Sequence, residues 1–155
     1  MGSKQELILI DTNIFVIDLR YRGDVNYKTN QAFLASIAQN GSGFTTLVNL
    51  LELCGILSFN LNQDQLIDLF TYFQDRYKVA VLPEPDLKMN FPNIKIKRLF
   101  EILGEKAALG DALMISVAEN YLPFVSTLVT WDNAHFKDKF TGNVLTPVEF
   151  LSGLD

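Results

Sequence analysis

Short, continuous apolar runs recur along the chain, and each one ends at a polar residue, a proline or a glycine. Runs of this length that lack alternation are typical of strands buried on both faces of a parallel sheet. The first is LILI, which reaches Asp11 with no intervening residue. The predicted strands are LILI (7–10), FTT (44–46), VAVL up to Pro83 and Pro85, FVSTLVT (124–130) and NVLT (143–146).

Between these runs the apolar residues follow helical spacing, as Leu66, Leu69, Phe70 and Phe73 do within 61–77. The NGSG stretch at 40–43 contains the Asn and Gly residues that commonly end a helix. Predicted helices cover 12–20, 28–39, a segment from the N-cap Thr46 to about 58, 61–77, 93–104, 107–120, a short piece after 130, and a last turn opened by Pro147. Strands that alternate with helices predict a three-layer α/β/α sandwich with a central parallel sheet, and the length suits one domain over 1–155.

Composition narrows the classes of protein that fit. The chain is 48% hydrophobic and has one cysteine, Cys54, which we expect to be a small buried hydrophobe in a reducing compartment. The first residues, MGSKQE, do not resemble a secretion signal, and no apolar run reaches the ~18 residues of a membrane span, so we expect a cytoplasmic protein. A net charge of −5 argues against an extended electrostatic nucleic-acid binder, but not against an enzyme whose acidic residues gather around a metal.

Four of the 18 acidic residues stand in apolar surroundings. Asp11 and Asp132 follow apolar strands, where parallel sheets bind their ligands. Glu52 lies within TTLVNLLELCGILSF, a helix with almost no polar face, and Asp111 opens the helix GDALMISVAEN. If these carboxylates converge, their repulsion calls for a cation, and oxygen donors favour Mg²⁺ or Mn²⁺ over zinc.

Each of these acids except Glu52 also has an ordinary structural explanation. Asp11 suits a helix N-cap, Asp111 suits the first turn of its helix through the helix dipole, and Asp132 suits a turn. A carboxylate in the middle of an apolar helix has no comparable role. Single positions therefore decide little, and the set of four favours a metal site.

With these motifs in this order, the chain resembles the PIN-domain family over nearly its whole length, in particular the VapC-type toxins of VapBC toxin–antitoxin systems. LILIDTNIF, TTLVNLLELCGIL, GDALMISVAEN and LVTWDNAHFKDKFTGNVLTPVEFL are similar to the family's four acidic segments. The resemblance implies a Mg²⁺- or Mn²⁺-dependent endoribonuclease with a five-stranded parallel sheet. It implies that the acidic pocket consists of Asp11, Glu52, Asp111 and Asp132, with support from Thr130 and Asn13.

Within that pocket we expect Asp11 and Asp111 to be the primary metal ligands. Glu52 would be a ligand or orient bound water, and Asp132 would complete the pocket. A metal-bound water becomes a usable nucleophile at neutral pH, so no histidine base is required. In many such proteins a carboxylate stands at the position of His135, which we expect to pack or hydrogen-bond near the last strand.

The resemblance also implies partners: an RNA substrate, a cognate antitoxin whose tail covers the site, and a second copy in a homodimer. The candidate contacts to the RNA backbone are Arg20, Arg22, Lys28, Lys95, Lys97 and Arg98. A run such as KIKR is more often simply a solvated helix face.

Three other classes of protein remain open at this point. A metal-dependent phosphatase of the haloacid-dehalogenase type would have a second acid where this chain has Asn13. A non-catalytic PIN-type module would bind or act as a scaffold without cleaving. An unrelated flavodoxin-like binding domain would use the acids as caps and would place Glu52 away from Asp11.

Overall fold

Five short parallel strands form the centre of the molecule, in a computed structural model that describes residues 5–154. The strands are β1 (Ile8–Ile10), β2 (Gly43–Thr46), β3 (Ala80–Leu82), β4 (Thr127–Val129) and β5 (Asn143–Leu145). Their order across the sheet is β3-β2-β1-β4-β5, and every neighbouring pair is parallel. The predicted parallel sheet is therefore confirmed.

Helices cover both faces of this sheet. In the described range they are α1 (Thr12–Arg20), α2 (Tyr27–Asn40), α3 (Leu47–Leu57), α4 (Gln63–Tyr77), α5 (Ile96–Gly104), α6 (Leu109–Tyr121), α7 (Asn133–Phe136) and α8 (Pro147–Ser152). Ile8 and Ile10 point into a core with residues of α1, α2, α3, α4 and α8, whereas Leu9 points into a second core with α5, α6 and α7. This alternation along β1 produces the predicted three-layer α/β/α sandwich. Within residues 5–154, no helix has both the length and the apolar character to cross a membrane.

Local sequence signals fix where several helices begin and end. Thr46 is the N-cap of α3, and its hydroxyl and the Asn49 side chain form a reciprocal capping box. Gly41 ends α2 with a φ of 62°, a left-handed conformation that glycine adopts without steric cost. Pro147 occupies the first position of α8, as predicted. These caps matter for the site, because the start of α3 determines which way Glu52 faces.

Several predicted boundaries need correction. The helix predicted over 61–77 begins at Gln63, because Asn62 is its extended N-cap. The helices predicted from 93 and from 107 begin at Ile96 and Leu109, because the chain is extended at Lys95 and at Ala108 just before them. The strand predicted over 124–130 is only Thr127–Val129, because a hydrogen bond from the Val125 N–H to the Leu122 carbonyl closes a turn first.

Cys54 is half-buried beside the apolar core rather than fully enclosed. Burial raises the pKa of its thiol to about 11, so it stays protonated and unreactive at neutral pH.

The two central strands place their following residues side by side. β1 and β4 pair with Ile10 opposite Val129, and the Asp11 N–H continues the ladder to the Val129 carbonyl at 3.1 Å. The strand order reverses at β1, which has β2 on one side and β4 on the other. Parallel α/β sheets bind ligands outside the carboxyl ends of the strands at such a point.

A substitution at Gly43 tests how tightly β2 packs against α2. A Cβ at this position would lie 2.4 Å from Ile37 Cγ2 and 3.0 Å from Ile10 Cδ1. We expect Gly43→Ala to lower the free energy of unfolding by about 1–3 kcal/mol through overpacking. Gly55→Ala is the matched control, because nothing lies within 4 Å of its added Cβ. In urea titrations it should be neutral or more stable by up to about 1 kcal/mol. Equal stability of the two variants would contradict this packing.

Candidate functional site

One open cavity of about 440 Å³ lies at the carboxyl edge of the sheet, and all four predicted acids line it. Asp11 comes from the end of β1, Glu52 from α3, Asp111 from α6 and Asp132 from the segment after β4. The flavodoxin-like alternative required Glu52 to lie away from Asp11, and the shared cavity contradicts it. The remaining lining residues are Thr12, Asn13, Val16, Ile17, Tyr21, Asp24, Ile56 and Phe136.

Thr130 fixes the position of the Asp11 carboxylate. The fully buried Thr130 hydroxyl donates to Asp11 Oδ2 at 2.7 Å and accepts from Asn13 Nδ2 and from the Asp132 N–H, each at 3.0 Å. The other oxygen of Asp11, Oδ1, accepts the Thr12 N–H at 2.8 Å. Asp11 is therefore both the N-cap of α1 and a wall of the cavity, and the two explanations of this residue are not exclusive. Thr130 and Asn13 do lie beside the acids.

A further buried hydrogen-bond chain ties the end of β4 to α1 and α2. The Trp131 Nε1–H donates to Asn30 Oδ1 at 2.8 Å, and Asn30 Nδ2 donates to the Ile14 carbonyl at 2.8 Å. Asn30 is completely buried. Sequence reasoning missed it, although an Asn on the same helical face as Phe33 and Ile37 is a signal, since a buried amide needs partners.

Glu52 is exposed, which corrects the expectation of an apolar environment. Helix α3 buries Leu50 and Leu53, and its outward side contains Leu51, Glu52 and Gly55. A carboxylate on this narrow side reaches the cavity without being enclosed in the core. The sequence does not reveal this exposed side, because one of its residues is an apolar leucine, Leu51, which is 42% exposed.

The Glu52 carboxylate lies against the first turn of α6. A Cβ built on Gly110 would lie only 2.9 Å from Glu52 Oε2, so the carboxylate occupies space that the absence of a side chain leaves open. The N-terminal turn of a helix has a partial positive charge, which favours an anion there. Gly110 therefore contributes to the site although it has no side chain, and sequence reasoning missed it.

Asp111 is paired with His135. The His135 Nε2–H donates to Asp111 Oδ2 at 3.0 Å, and the Lys139 ammonium donates to the His135 carbonyl at 2.7 Å. We expected His135 to pack or hydrogen-bond near the last strand; it does hydrogen-bond, but its partner is an acid of the cavity. Partial burial raises the pKa of Asp111, and the neighbouring His135 opposes that shift. Asp132 is exposed and, although it precedes α7, its side chain makes no capping hydrogen bond.

Burial raises the pKa of Asp11 from 3.8 to about 6. The hydrogen bonds from Thr130 and Thr12 oppose this shift, and the charges of Asp111 and Glu52 increase it. The charged form of Asp11 is therefore under-compensated by the protein's own groups. A cation in the cavity would supply the missing compensation.

The four carboxylates offer the oxygen ligands that a hard cation binds, but they are not arranged around one point. Among residues 5–154, no three of the His, Cys, Asp and Glu side chains stand close enough to hold a metal ion between them. Asp11 and Asp111 are held by Thr130 and His135, whereas Glu52 and Asp132 are exposed and can rotate. Like charges separate when no cation draws them together, and four carboxylates on one cavity match the oxygen ligands that Mg²⁺ and Mn²⁺ take.

None of the six predicted RNA-contact residues lines the cavity. Arg98 is paired with Glu119 through two hydrogen bonds of 2.6 and 2.9 Å and with Glu101 at 3.2 Å. Of the six, Arg20 lies beside a lining residue: its guanidinium is 5.7 Å from the ring centroid of Tyr21. The lysine whose charge acts on Asp111 is Lys139, which sequence reasoning did not single out.

Comparison with known proteins supports the fold. No protein-family model and no curated protein matches the chain. The chain is similar in structure to VapBC2 from Rickettsia felis bound to a DNA fragment from its promoter, with 19% identity over 90% of this chain and 98% of that one and a TM-score of 0.58. It is also similar to FitAcB from Neisseria gonorrhoeae, with 17% identity, 92% and 99% coverage and a TM-score of 0.61.

A third solved structure is VapC20 from Mycobacterium tuberculosis, a toxin that cleaves the sarcin–ricin loop. It is 15% identical over 86% of this chain and 95% of that one, with a TM-score of 0.56. At these identities the likeness establishes the fold alone. The chain has the PIN-like α/β/α fold that these proteins share.

The raised pKa of Asp11 predicts a dependence of stability on pH. The pKa of Asp11 is higher in the folded than in the unfolded chain, so protonation of Asp11 favours the folded state. This contribution to the free energy of unfolding is fully present below pH 3.8 and is lost as the pH rises through about 6. In metal-free buffer at pH 7, urea titration should therefore give Asp11→Asn a free energy of unfolding about 1–3 kcal/mol higher than that of the original protein. The difference should vanish near pH 4.

Asp75→Asn is the matched control for this measurement, since Asp75 is exposed on α4. It should change stability at neither pH. An Asp11→Asn protein that is less stable than the original at pH 7 would mean that the hydrogen bonds from Thr130 and Thr12 outweigh the cost of burying the charge.

Proposed function

We propose that this protein is a metal-dependent endoribonuclease of the VapC type, which hydrolyses RNA phosphodiester bonds as the toxin of a toxin–antitoxin pair. The observation that supports this best is the convergence of four carboxylates, from four separate elements, on one cavity around a buried Asp11. The fold shared with VapC20, a toxin that cleaves the sarcin–ricin loop, adds support. Mg²⁺ or Mn²⁺ is the cofactor that this donor set fits.

In this proposal the chain's own residues divide the work. Asp11 and Asp111 are the primary ligands, held by the side chains of Thr130 and His135 respectively. Glu52 and Asp132 approach from the exposed side and complete the pocket. The bound cation would supply a water activated at neutral pH and positive charge for the phosphate. Asn13 Nδ2 donates to Thr130 Oγ1, so that the Thr130 hydroxyl hydrogen stays directed at Asp11 Oδ2.

The negative charge of the protein requires a means of attracting RNA. A cation bound by the four acids would neutralise part of the pocket, and Lys139 adds positive charge beside Asp111. Further contacts to the RNA backbone are proposed for Arg20, Arg22, Lys28, Lys95 and Lys97, and for Arg98 once it leaves Glu119.

We also propose an antitoxin partner, a homodimer and action in the cytoplasm. The similar structures of VapBC2 and FitAcB are those of complexes, which supports the antitoxin. A short, basic, DNA-binding protein encoded next to this chain is the partner to look for. The homodimer rests on the resemblance of the four acidic segments, and the cytoplasmic location on the sequence features described at the start.

A non-catalytic PIN-type binding module is the second candidate. The separation of the four acids favours it, because among residues 5–154 no three ligand side chains stand together. The two candidates differ in whether the protein cleaves RNA.

Cleavage of RNA by the purified protein tests the first candidate directly. We expect cleavage in Mg²⁺ or Mn²⁺, no cleavage with excess chelator, and loss of cleavage in both Asp11→Asn and Asp111→Asn, because each removes a charged ligand. Asp75→Asn should retain full activity. Cleavage that survives in both site variants would identify a contaminating nuclease. Mn²⁺ binding without any RNA cleavage would leave a metal-binding module.

Gly110→Ala tests the position of Glu52. The added Cβ would displace the Glu52 carboxylate, so in calorimetric titration we expect Mn²⁺ to bind roughly 10-fold more weakly, as when a group that orients a ligand is lost. Stability should be unchanged or higher, since alanine favours helices.

Two comparisons isolate the role of Glu52. Gly55→Ala, on the same helix as Glu52 but with open space around its Cβ, should bind Mn²⁺ normally. Gly110→Ala added to Glu52→Gln should weaken binding no further than Glu52→Gln alone. Additive losses would show that Gly110 acts by another route.

A further inference from the structure

The cavity has two chemically different parts. The four carboxylates are at the end where the strands stop, and the remainder follows one side of α1 and α3. That side is mostly apolar and aromatic, formed by Val16, Ile17, Ile56 and Tyr21, with one further carboxylate, Asp24, next to Tyr21. An enzyme that needed only a metal and a phosphate would have no use for this second part, so it is a candidate for contact with another part of a substrate.

Tyr21 is the aromatic residue of this part, and it is partly exposed although the Arg20 guanidinium lies over one face of its ring. The side chain is 47% exposed, while its main chain is held by a hydrogen bond from its N–H to the Ile17 carbonyl and by one from the Asp24 N–H to its own carbonyl, both 3.0 Å. The residue caps α1, nine positions beyond Thr12, which corresponds to about 14 Å of helix rise. Tyr21 therefore stands at the far end of the cavity from Asp11.

Arg20 adds a cation at this end. Its guanidinium lies 5.7 Å from the Tyr21 ring centroid, and Nη1 is 3.5 Å from the carbonyl of Ile56, another lining residue. Arg20 itself is exposed. An aromatic ring beside an arginine suits a nucleotide, since the ring stacks on the base and the guanidinium pairs with the phosphate.

We propose that Tyr21 is a base-stacking subsite, which holds an unpaired base of the RNA strand whose backbone crosses the four acids. Because Tyr21 is separated from the acids by the length of α1, the base that it stacks on belongs to a nucleotide that flanks the cleaved bond, not to the nucleotide at that bond. Bases in an RNA helix are stacked on one another and do not offer a free face, so the subsite selects single-stranded loops, bulges or ends. This inference rests on the proposed ribonuclease function and specifies the form of its substrate.

Binding to a short labelled single-stranded RNA, measured by fluorescence anisotropy, tests the subsite. All variants are made in the Asp11→Asn background, which keeps the RNA intact in Mn²⁺. We expect Tyr21→Ala to weaken binding by about 5- to 150-fold, the range for losing one base–aromatic stack, and Tyr21→Phe to bind within about 3-fold of its parent. Tyr121→Ala, at the far end of α6 and 37% exposed, should have no effect.

A scan with one abasic nucleotide at each position of the RNA identifies the stacked base. One position should weaken binding by the parent protein and have no effect on Tyr21→Ala, because the two changes remove the same contact. Duplex RNA of the same sequence should bind the parent and Tyr21→Ala equally. Additive effects at every position, or equal single-strand binding by Tyr21→Ala and its parent, would overturn the subsite.

The proposed function and the subsite can fail separately. If the protein with Asp11 intact cleaves no RNA, the ribonuclease proposal fails whatever Tyr21 does. If it cleaves RNA and Tyr21→Ala cleaves single strands with an unchanged KM, only the subsite fails. A Tyr21→Ala variant that loses affinity for an antitoxin but not for RNA would assign the ring to protein contact and would also overturn the subsite.

Discussion

The hydrogen bond from Thr130 to Asp11 is the interaction on which the rest of the site depends. It joins the residues that follow the two central strands, and it exists because β1 and β4 are adjacent, parallel and in register. Two of the other acids, Asp132 and Glu52, are placed relative to this pair. The Thr130 hydroxyl oxygen also accepts a hydrogen bond from the Asp132 N–H. Asp11 caps α1, and α1 packs against α3, the helix that contains Glu52. The sheet thus determines the site more than any single helix does.

That arrangement has a cost, because it buries a carboxylate. Asp11 is only 7% exposed, and burial with two nearby carboxylates raises its pKa to about 6. The two hydrogen bonds that it accepts do not fully offset the burial. A protein selected for stability alone would have a neutral side chain at this position, as asparagine would provide. The retention of a buried charge is understandable when a ligand of opposite charge shares the site, because that ligand recovers the free energy lost on folding.

Sequence patterns predicted the fold and the acids for physical reasons that are local. Apolar runs, helix caps and prolines depend on neighbouring residues, and Asp11 and Asp132 are recognisable because they end buried strands. The exposure of Glu52 was missed because a helix rich in leucine can still have a narrow outward side. The pairing of His135 with Asp111, the close approach of Glu52 to Gly110 and the position of Tyr21 in the cavity depend on how separate helices pack. No periodicity in one segment reports such contacts.

The separation of the key residues along the chain has a consequence for biosynthesis. Thr130 and Asp11 are 119 residues apart, and Glu52 and Asp111 lie between them. A nascent chain that has left the ribosome as far as β3 contains Asp11 and Glu52 but neither the strand that fixes Asp11 nor the other two acids. The cavity is completed only after β4 has paired with β1, when most of the chain has been translated. An unfinished chain therefore lacks the complete site, and any chemistry that needs all four acids begins only near the end of synthesis.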